Sequence, residues 1–287
     1  MSKGRTTPFY KMHSLGNDFM VLDAVSQQVT IQSQAIRNWA DRHTGIGFDQ
    51  LLIIEPPTDP ECDFYFRIYN ADGSEAEQCG NGTRCVAKLA NHLGLTTKRC
   101  LTWQSLAGTF TTQADEGGQR YTSQLTVPVL EPDDIPMDTS QAEQTDSHNF
   151  TIEHGDQRYT ITPVSMGNPH AVIFTDDVIN TDVEAIGASL TAHPAFPERA
   201  NIGFCQIMDS QFMRLRVYER GAGETQACGS GACAATVAAH LNSYINGRVK
   251  ISLPGGKLRA SWQGPGEHIS LTGPANLVYR GEIQLNE

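Results

Sequence analysis

The chain has no uninterrupted apolar run near the roughly 20 residues that carry a helix across a bilayer, so a helical membrane protein is not expected. It is also short of positive charge. Against 32 Asp and Glu it sets 21 Lys and Arg, for a formal net charge of −11 over 287 residues. Nucleic acids and anionic membranes both call for a basic surface, and neither is an expected partner. Seven cysteines occur, yet none forms a Cys-x-x-Cys, which removes the usual dithiol redox signature and the commonest zinc knuckle. No histidine pair completes a metal site, and no metal is expected. Rossmann, P-loop and pyridoxal-phosphate patterns are missing too, so no cofactor is expected. The start, Met1-Ser-Lys-Gly-Arg-Thr-Thr-Pro8, lacks the apolar core of a secretory signal, and a cytoplasmic protein with reduced thiols is expected. Cys62, Cys100 and Cys205 read as small buried apolar residues.

What the sequence does have is a motif written twice. Tyr69 to Cys85 reads Y-N-A-D-G-S-E-A-E-Q-C-G-N-G-T-R-C, and Tyr218 to Cys233 reads Y-E-R-G-A-G-E-T-Q-A-C-G-S-G-A-C. One offset of 149 brings Arg67 onto Arg216, Glu75 onto Glu224, Cys79 onto Cys228, Gly80 onto Gly229 and Gly82 onto Gly231. Two further blocks keep the same order. Gly16-Asn17 answers Gly167-Asn168 at an offset of 151, and Gly45-Ile-Gly-Phe-Asp-Gln50 is matched to Asn201-Ile-Gly-Phe-Cys-Gln206, pairing Gln50 with Gln206 at 156. A period of this length is a duplicated domain, not a solenoid.

Apolar spacing predicts a helix over residues 31–41, helices opening after Cys79 and Cys228, and strands between them. Gly94 is a candidate C-cap. Residues 126–148, rich in proline and acids, read as a crossover with a surface excursion. Asn246-Gly247 reads as a hairpin turn. Length and duplication together predict an α+β protein of two pseudo-symmetric domains, each a curved, mostly antiparallel sheet wrapped around a central helix. One domain spans 1–128, with residues 274–287 packing back on it, and the other spans 129–273.

Each cysteine would then sit at a helix N-terminus, facing the other half across a cleft. Unpaired N–H groups and the helix dipole lower a thiol pKa there, while Gly80, Gly82, Gly229 and Gly231 admit a carboxylate close to the backbone. Two opposed thiols suit racemisation or epimerisation of an amino acid: a thiolate removes the α-proton and a thiol returns one on the opposite face. They titrate as a coupled pair.

The motifs Gly16-Asn-Asp-Phe19, Asn70-Ala-Asp-Gly-Ser74, Gln78-Cys-Gly-Asn-Gly-Thr-Arg-Cys85, Gly167-Asn-Pro-His170 and Tyr218 through Gly231 together resemble the diaminopimelate epimerase family. The likeness runs from Phe9 to Tyr279. It implies interconversion of LL- and meso-diaminopimelate for lysine and peptidoglycan precursors, without a cofactor, by a homodimer. It makes Cys79 and Cys228 the acid/base pair, with His170 and Glu219 biasing their protonation. Gly80, Asn81, Gly229 and Ser230 would hold the α-carboxylate. Asn17, Gln50, Asn70, Asn168, Asn201 and Arg220 would bind the rest of the substrate, Glu219 could also take its ammonium group, and Tyr279 would be a dimer contact. Thr83 departs from the alanine often found there. A proline racemase-like enzyme is the nearest alternative, although its first loop typically reads Cys-Gly-His where this chain has Asn81. A thiol–disulfide redox protein is a second, and a non-enzymatic binding module of the same fold, in which both thiols would be gratuitous, is a third.

Overall fold

The computed structural model describes residues 5–77 and 79–285. Gln78, quoted in the first cysteine motif, lies outside the described residues. The chain divides into two compact units, Met1–Gln124 with Gly273–Glu287, and Leu125–Thr272. The division falls slightly before the boundary expected at 128/129.

In the first unit, β1 (Arg5–Ser14), β2 (Asn17–Asp23), α1 (Ser33–Ala40), β3 (Gln50–Glu55), β4 (Phe64–Asn70) and β5 (Glu75–Ala76) lead to α2 (Gly80–His92). There follow β6 (Cys100–Ser105), β7 (Gly108–Ala114) and β8 (Arg120–Gln124). The second unit holds β9 (Glu143–Gln144), β10 (Phe150–His154), β11 (Gln157–Ser165), β12 (Pro169–Phe174), α3 (Val183–Leu190) and β13 (Asn201–Asp209). It continues with β14 (Phe212–Glu219), β15 (Gly223–Glu224), α4 (Gly229–Leu241), β16 (Arg248–Leu253), β17 (Gly256–Ser261) and the first three residues of β18 (Ser270–Pro274). The last strand, β19 (Asn276–Leu285), pairs antiparallel with β1 and so returns the C-terminal segment to the first unit.

Each unit is built on mixed strand pairing, and the parallel junctions fall in matching places. In the first unit β2–β3 and β4–β6 are parallel; in the second, β12–β13 and β14–β16 are. A parallel pair needs a crossover, and a helix supplies it. Thus α1 and α3 answer each other, as do α2 and α4.

The sheets curl around the second helix of each unit. α2 packs against β1, β2, β3, β7, β8 and β19, and α4 against β11, β12, β13, β14, β16 and β17. A helix enclosed this way is mostly apolar or small, with any buried polar side chain hydrogen-bonded. Val86, Ala87, Leu89 and Ala90 of α2, and Ala232, Ala234, Ala235, Val237, Ala238 and Ala239 of α4, are all buried. On the outer face of the first sheet, Ile36 and Ala40 of α1 close a second core with Met20, Leu22, Leu51 and Ile53. α3, which the sequence reading did not single out, does the same with Phe196, Ile202 and Phe204. Its Gly187 is required by a close approach, since a Cβ there would meet Tyr218 Cβ at 2.4 Å.

The register corrects one block of the repeat. Gln50 lies opposite Phe19 and Asn70, whereas Asn201 lies opposite His170, with Ile202 opposite Tyr218. The offset in this strand is therefore 151, so Gln50 answers Asn201 and Gln206 answers Glu55. The shared Ile-Gly-Phe string misled the alignment: residues 46–48 form a loop, while residues 202–204 are strand.

Three other readings change. Residues 126–148 are not purely an excursion, because Val129 bridges Ser165 and both Ile135 and Met137 are buried in the core under α3. Asn246-Gly247 is no hairpin turn; it leads from α4 into β16, and the β16–β17 reversal falls at Pro254-Gly255. Cys100 is exposed at the start of β6, not buried. Gly94 does follow the C-cap of α2, at φ 69°.

Candidate active site

Both cysteines of the repeat are N-caps. Cys79 precedes α2 with φ −152° and ψ 94°, and its Sγ accepts the N–H of Gly82 at 3.3 Å. Cys228 precedes α4 with φ −109° and ψ 114°, its Sγ accepting from Gly231 N at 3.4 Å. Sulfur thus takes the place of the hydroxyl or carboxylate oxygen that usually meets an orphan N–H. The glycines make this approach possible. A Cβ on Gly82 would meet Leu52 Cδ1 at 3.1 Å and Cys79 Sγ at 3.2 Å; on Gly231 it would meet Val217 Cγ2 at 3.0 Å and Cys228 Sγ at 3.3 Å.

Around Cys79 the groups are mostly amides. Asn17 opens β2 after the Leu15-Gly16 turn, where both residues have positive φ. Its Oδ1 lies 4.0 Å from Cys79 Sγ and accepts from Asn81 Nδ2 at 3.2 Å. Its Nδ2 donates to Asp49 Oδ2 at 2.8 Å. Behind it, Arg42 grips both Asp49 and Asp18, and Lys11 donates to Asp18. Burial would raise the Asp18 pKa, but bonds from Arg42 and Lys11 hold it below the ordinary carboxylate value. Gln50 and Asn70 form a separate pair on β3 and β4, Nε2 donating to Oδ1 at 3.0 Å. The sequence reading missed Asp18, Asp49, Arg42 and Lys11, whose only signal was their place beside the Gly16-Asn17 turn and the β3 entry.

Beside Cys228 a carboxylate, Glu219, joins the neutral donors. Cys228 is 4% exposed. Burial, and after it the carboxylate of Glu219, push its thiol pKa well above the ordinary value, against the hydrogen bonds from Ser230 and Gly231. The lowered pKa expected of a helix N-terminus is therefore reversed here: desolvation outweighs the dipole. Ser230 Oγ is 3.5 Å from the sulfur. Thr225 Oγ1 donates to Glu219 Oε1 at 2.5 Å. His170 is 1% exposed, and burial together with the nearby Arg220 cation drops its pKa to about 3. Its imidazole is neutral at ordinary pH, with Nε2 3.2 Å from Asn168 Oδ1. Asn201 accepts from the Arg220 backbone N–H at 3.0 Å and donates to Pro169 O at 3.3 Å. Arg220 is exposed, with Nη1 donating to Glu198 O at 3.0 Å.

The second unit thus sets Glu219, Ser230 and Gly231 against Cys228, and links Asn168, His170, Asn201 and Arg220 to one another. The first gathers Asn17, Gly80 and Asn81 about Cys79, with Gln50 and Asn70 paired nearby in the sheet. Tyr279 belongs to neither group. It stands on β19, 45% exposed, edge-on to Phe9 at 6.0 Å. Among the described residues no cluster of three or more His, Cys, Asp or Glu is placed to hold a metal, and no helix is long and apolar enough to cross a membrane.

The fold is shared with a hydroxyproline epimerase of Agrobacterium vitis, at a TM-score of 0.72 and 14% identity, covering 100% of this chain and 95% of that one. A phenazine biosynthesis protein of the PhzF family from Bacillus anthracis superposes at 0.66 and 15% identity, covering 98% and 100%. These likenesses define the class as a duplicated α+β fold with a helix at the centre of each half. Within that class the sequence is more particular. A family model described as diaminopimelate epimerase matches residues 9–130 and 162–278. Diaminopimelate epimerases of Ectopseudomonas mendocina and Pseudomonas aeruginosa are 47% and 48% identical over 277 residues, 96% of this chain and 99% of each relative. The chain belongs to the diaminopimelate epimerase family.

Proposed function

We propose that this chain interconverts LL- and meso-diaminopimelate by exchanging one proton at an α-carbon, with Cys79 and Cys228 as the two proton carriers. One observation supports this above the rest. A cysteine capping a glycine-opened, enclosed helix occurs twice, in a chain closely similar to proteins of that name. Inverting a stereocentre takes a base on one face and an acid on the other, and two thiols in equivalent settings meet that need.

Buried beside Glu219, Cys228 favours its protonated form at neutral pH. In either direction one cysteine, as thiolate, removes the proton and the other, as thiol, returns one on the opposite face. One turnover leaves the cysteine that took the proton as thiol and its counterpart as thiolate, the state needed for the reverse direction. The α-carboxylate is received by backbone N–H groups at Gly80-Asn81 and Gly229-Ser230, where fixed donors offset charge that builds up as the C–H bond breaks. Glu219 takes the ammonium group, and neutral His170 helps set the protonation of the thiols. Asn17, Gln50, Asn70, Asn168 and Asn201 bind the remainder. Arg220 offers a carboxylate the two-pronged donor that guanidinium provides. No cofactor is invoked. Tyr279 and the neighbouring exposed Val278 are assigned to a homodimer contact, and the enzyme to lysine and peptidoglycan precursor supply in the cytoplasm.

The test is solvent exchange. LL-diaminopimelate incubated in deuterium oxide should yield the meso isomer carrying deuterium at the inverted carbon. Turnover of proline or hydroxyproline, with no exchange into diaminopimelate, would overturn the assignment in favour of the racemase-like alternative.

A further inference from the structure

Arg84 is 0% exposed on α2, inside the first unit. Its guanidinium reaches back to the start of its own helix. Nη1 donates to Gly80 O at 3.0 Å, and Nη2 to Asn81 Oδ1 at 2.5 Å and to Ser14 Oγ at 2.8 Å. Thr83 Oγ1 adds a second side-chain bond to Gly80 O at 2.8 Å, and is itself 2.6 Å from Ser123 Oγ.

This geometry bears directly on the donors beside Cys79. A peptide unit is planar, so a clamp on the Gly80 carbonyl sets the direction of the Asn81 N–H across the same bond. The guanidinium on Asn81 Oδ1 also decides which way that amide faces. Oδ1 turns toward Arg84, and Nδ2 turns toward Asn17 Oδ1 at 3.2 Å. Burying a guanidinium is costly unless its charge is used. Placed behind the first turn of α2, it adds positive potential to the helix N-terminus. The second unit has Ala232 and Cys233 at the positions of Thr83 and Arg84, and neither side chain can make these bonds.

We infer that Arg84 is a positioning residue for the reaction: through the Gly80–Asn81 peptide and the Asn81 amide it holds the carboxylate-receiving donors beside Cys79 in their productive direction. Thr83 assists, giving a role to a residue that departs from the familiar motif. The inference rests on the reading of the preceding subsection.

The experiment compares the full-length wild-type chain with Arg84→Met, Arg84→Lys and Thr83→Ala. Misdirected donors cost about 10²-fold, so Arg84→Met should lose that much in kcat while KM rises by less. Arg84→Lys, which keeps the charge but cannot grip two acceptors in one plane, should recover part of the loss, and Thr83→Ala should show a smaller fall. A second readout does not depend on turnover: mass-spectrometric alkylation of Cys79 by iodoacetamide across pH should shift to higher pH in Arg84→Met. A purely structural Arg84 would lower the Tm and leave both readouts of the folded variant at wild-type values, and that result overturns the inference. Should Arg84→Met not fold, wild-type kcat in both Arg84→Lys and Thr83→Ala overturns it equally. If the wild-type chain exchanges no diaminopimelate proton, the functional reading fails, while the alkylation comparison still decides the role of Arg84.

Discussion

Glu219 of the second unit stands at the register position that Asn70 holds in the first, each ending the strand that leads toward its cysteine. The duplicated scaffold therefore puts a carboxylate beside one thiol and a neutral amide in the matching place near the other. The same asymmetry recurs where His170 answers Phe19 and where Cys233 answers Arg84. Two alike backbones carry unlike electrostatics.

Replacing either cysteine should stop the reaction without unfolding the chain. Cys79→Ala and Cys228→Ala are each expected to lower epimerisation by about 10³-fold or more, the scale of a lost acid/base group. Cys→Ser should leave residual activity. Circular dichroism should match wild type, and near-normal turnover in either alanine variant refutes the two-thiol assignment.

Removing the charge of Glu219 should make Cys228 easier to ionise. The carboxylate raises that thiol's pKa, so Glu219→Gln should let iodoacetamide label Cys228 at lower pH. The measurement is best made in a Cys100→Ser background, because exposed Cys100 reacts independently. An unmoved or upward-shifted labelling profile would show that Glu219 does not act on the thiol.

Stability should fall on the acid side through His170. Its folded pKa is about 3, against roughly 6.5 for an unfolded histidine. The unfolded chain gains a proton below pH 6.5 while the folded one does not. This contribution is complete above that pH and is lost as pH falls toward 3, at about 1.4 kcal/mol per pH unit. Urea unfolding of His170→Gln between pH 6.5 and 4.5 should show a correspondingly shallower slope than wild type; equal slopes would place the acid sensitivity elsewhere.

On the alkaline side the buried thiols act in the opposite sense. Burial pushes Cys85 and Cys205 up to about 12, while unfolded thiols ionise near 8.5. Their stabilising share is present below pH 8.5 and is lost as pH rises toward 12. Cys205→Ala should start less stable, since it leaves a small cavity, yet lose stability less steeply between pH 8.5 and 10. A parallel decline would count against this account.

Gly231→Ala should cost about 1–3 kcal/mol as an overpacked site. The added methyl would press on Val217 and on the Cys228 sulfur, and activity should fall further than the Tm alone explains. Gly94→Ala is the contrasting control, with open space around it but φ 69°. It should lose about 1 kcal/mol of stability with kcat unchanged.

Much of this was legible in the linear chain because the duplication is written in local signals. Cys-Gly-x-Gly at the head of a small-residue run marks an enclosed helix start, and its recurrence at a constant offset marks the second copy. The α3 helix was missed because its eight residues, with a glycine inside, carry too short a periodic pattern. The Gln50–Gln206 match failed because a shared tripeptide outweighed strand register, which is a long-range property.

The amino-acid sequence alone determined the paired cysteines, the glycines that let backbone reach sulfur, and the family, since these depend on residue identity and spacing. Tertiary structure decided the rest: that Gln50 answers Asn201, that burial beside Glu219 raises the Cys228 thiol pKa, and that Arg84 turns back on the first peptide of its own helix. Register, desolvation and the aim of a buried side chain are set by neighbours far away in the chain, and no local pattern encodes them.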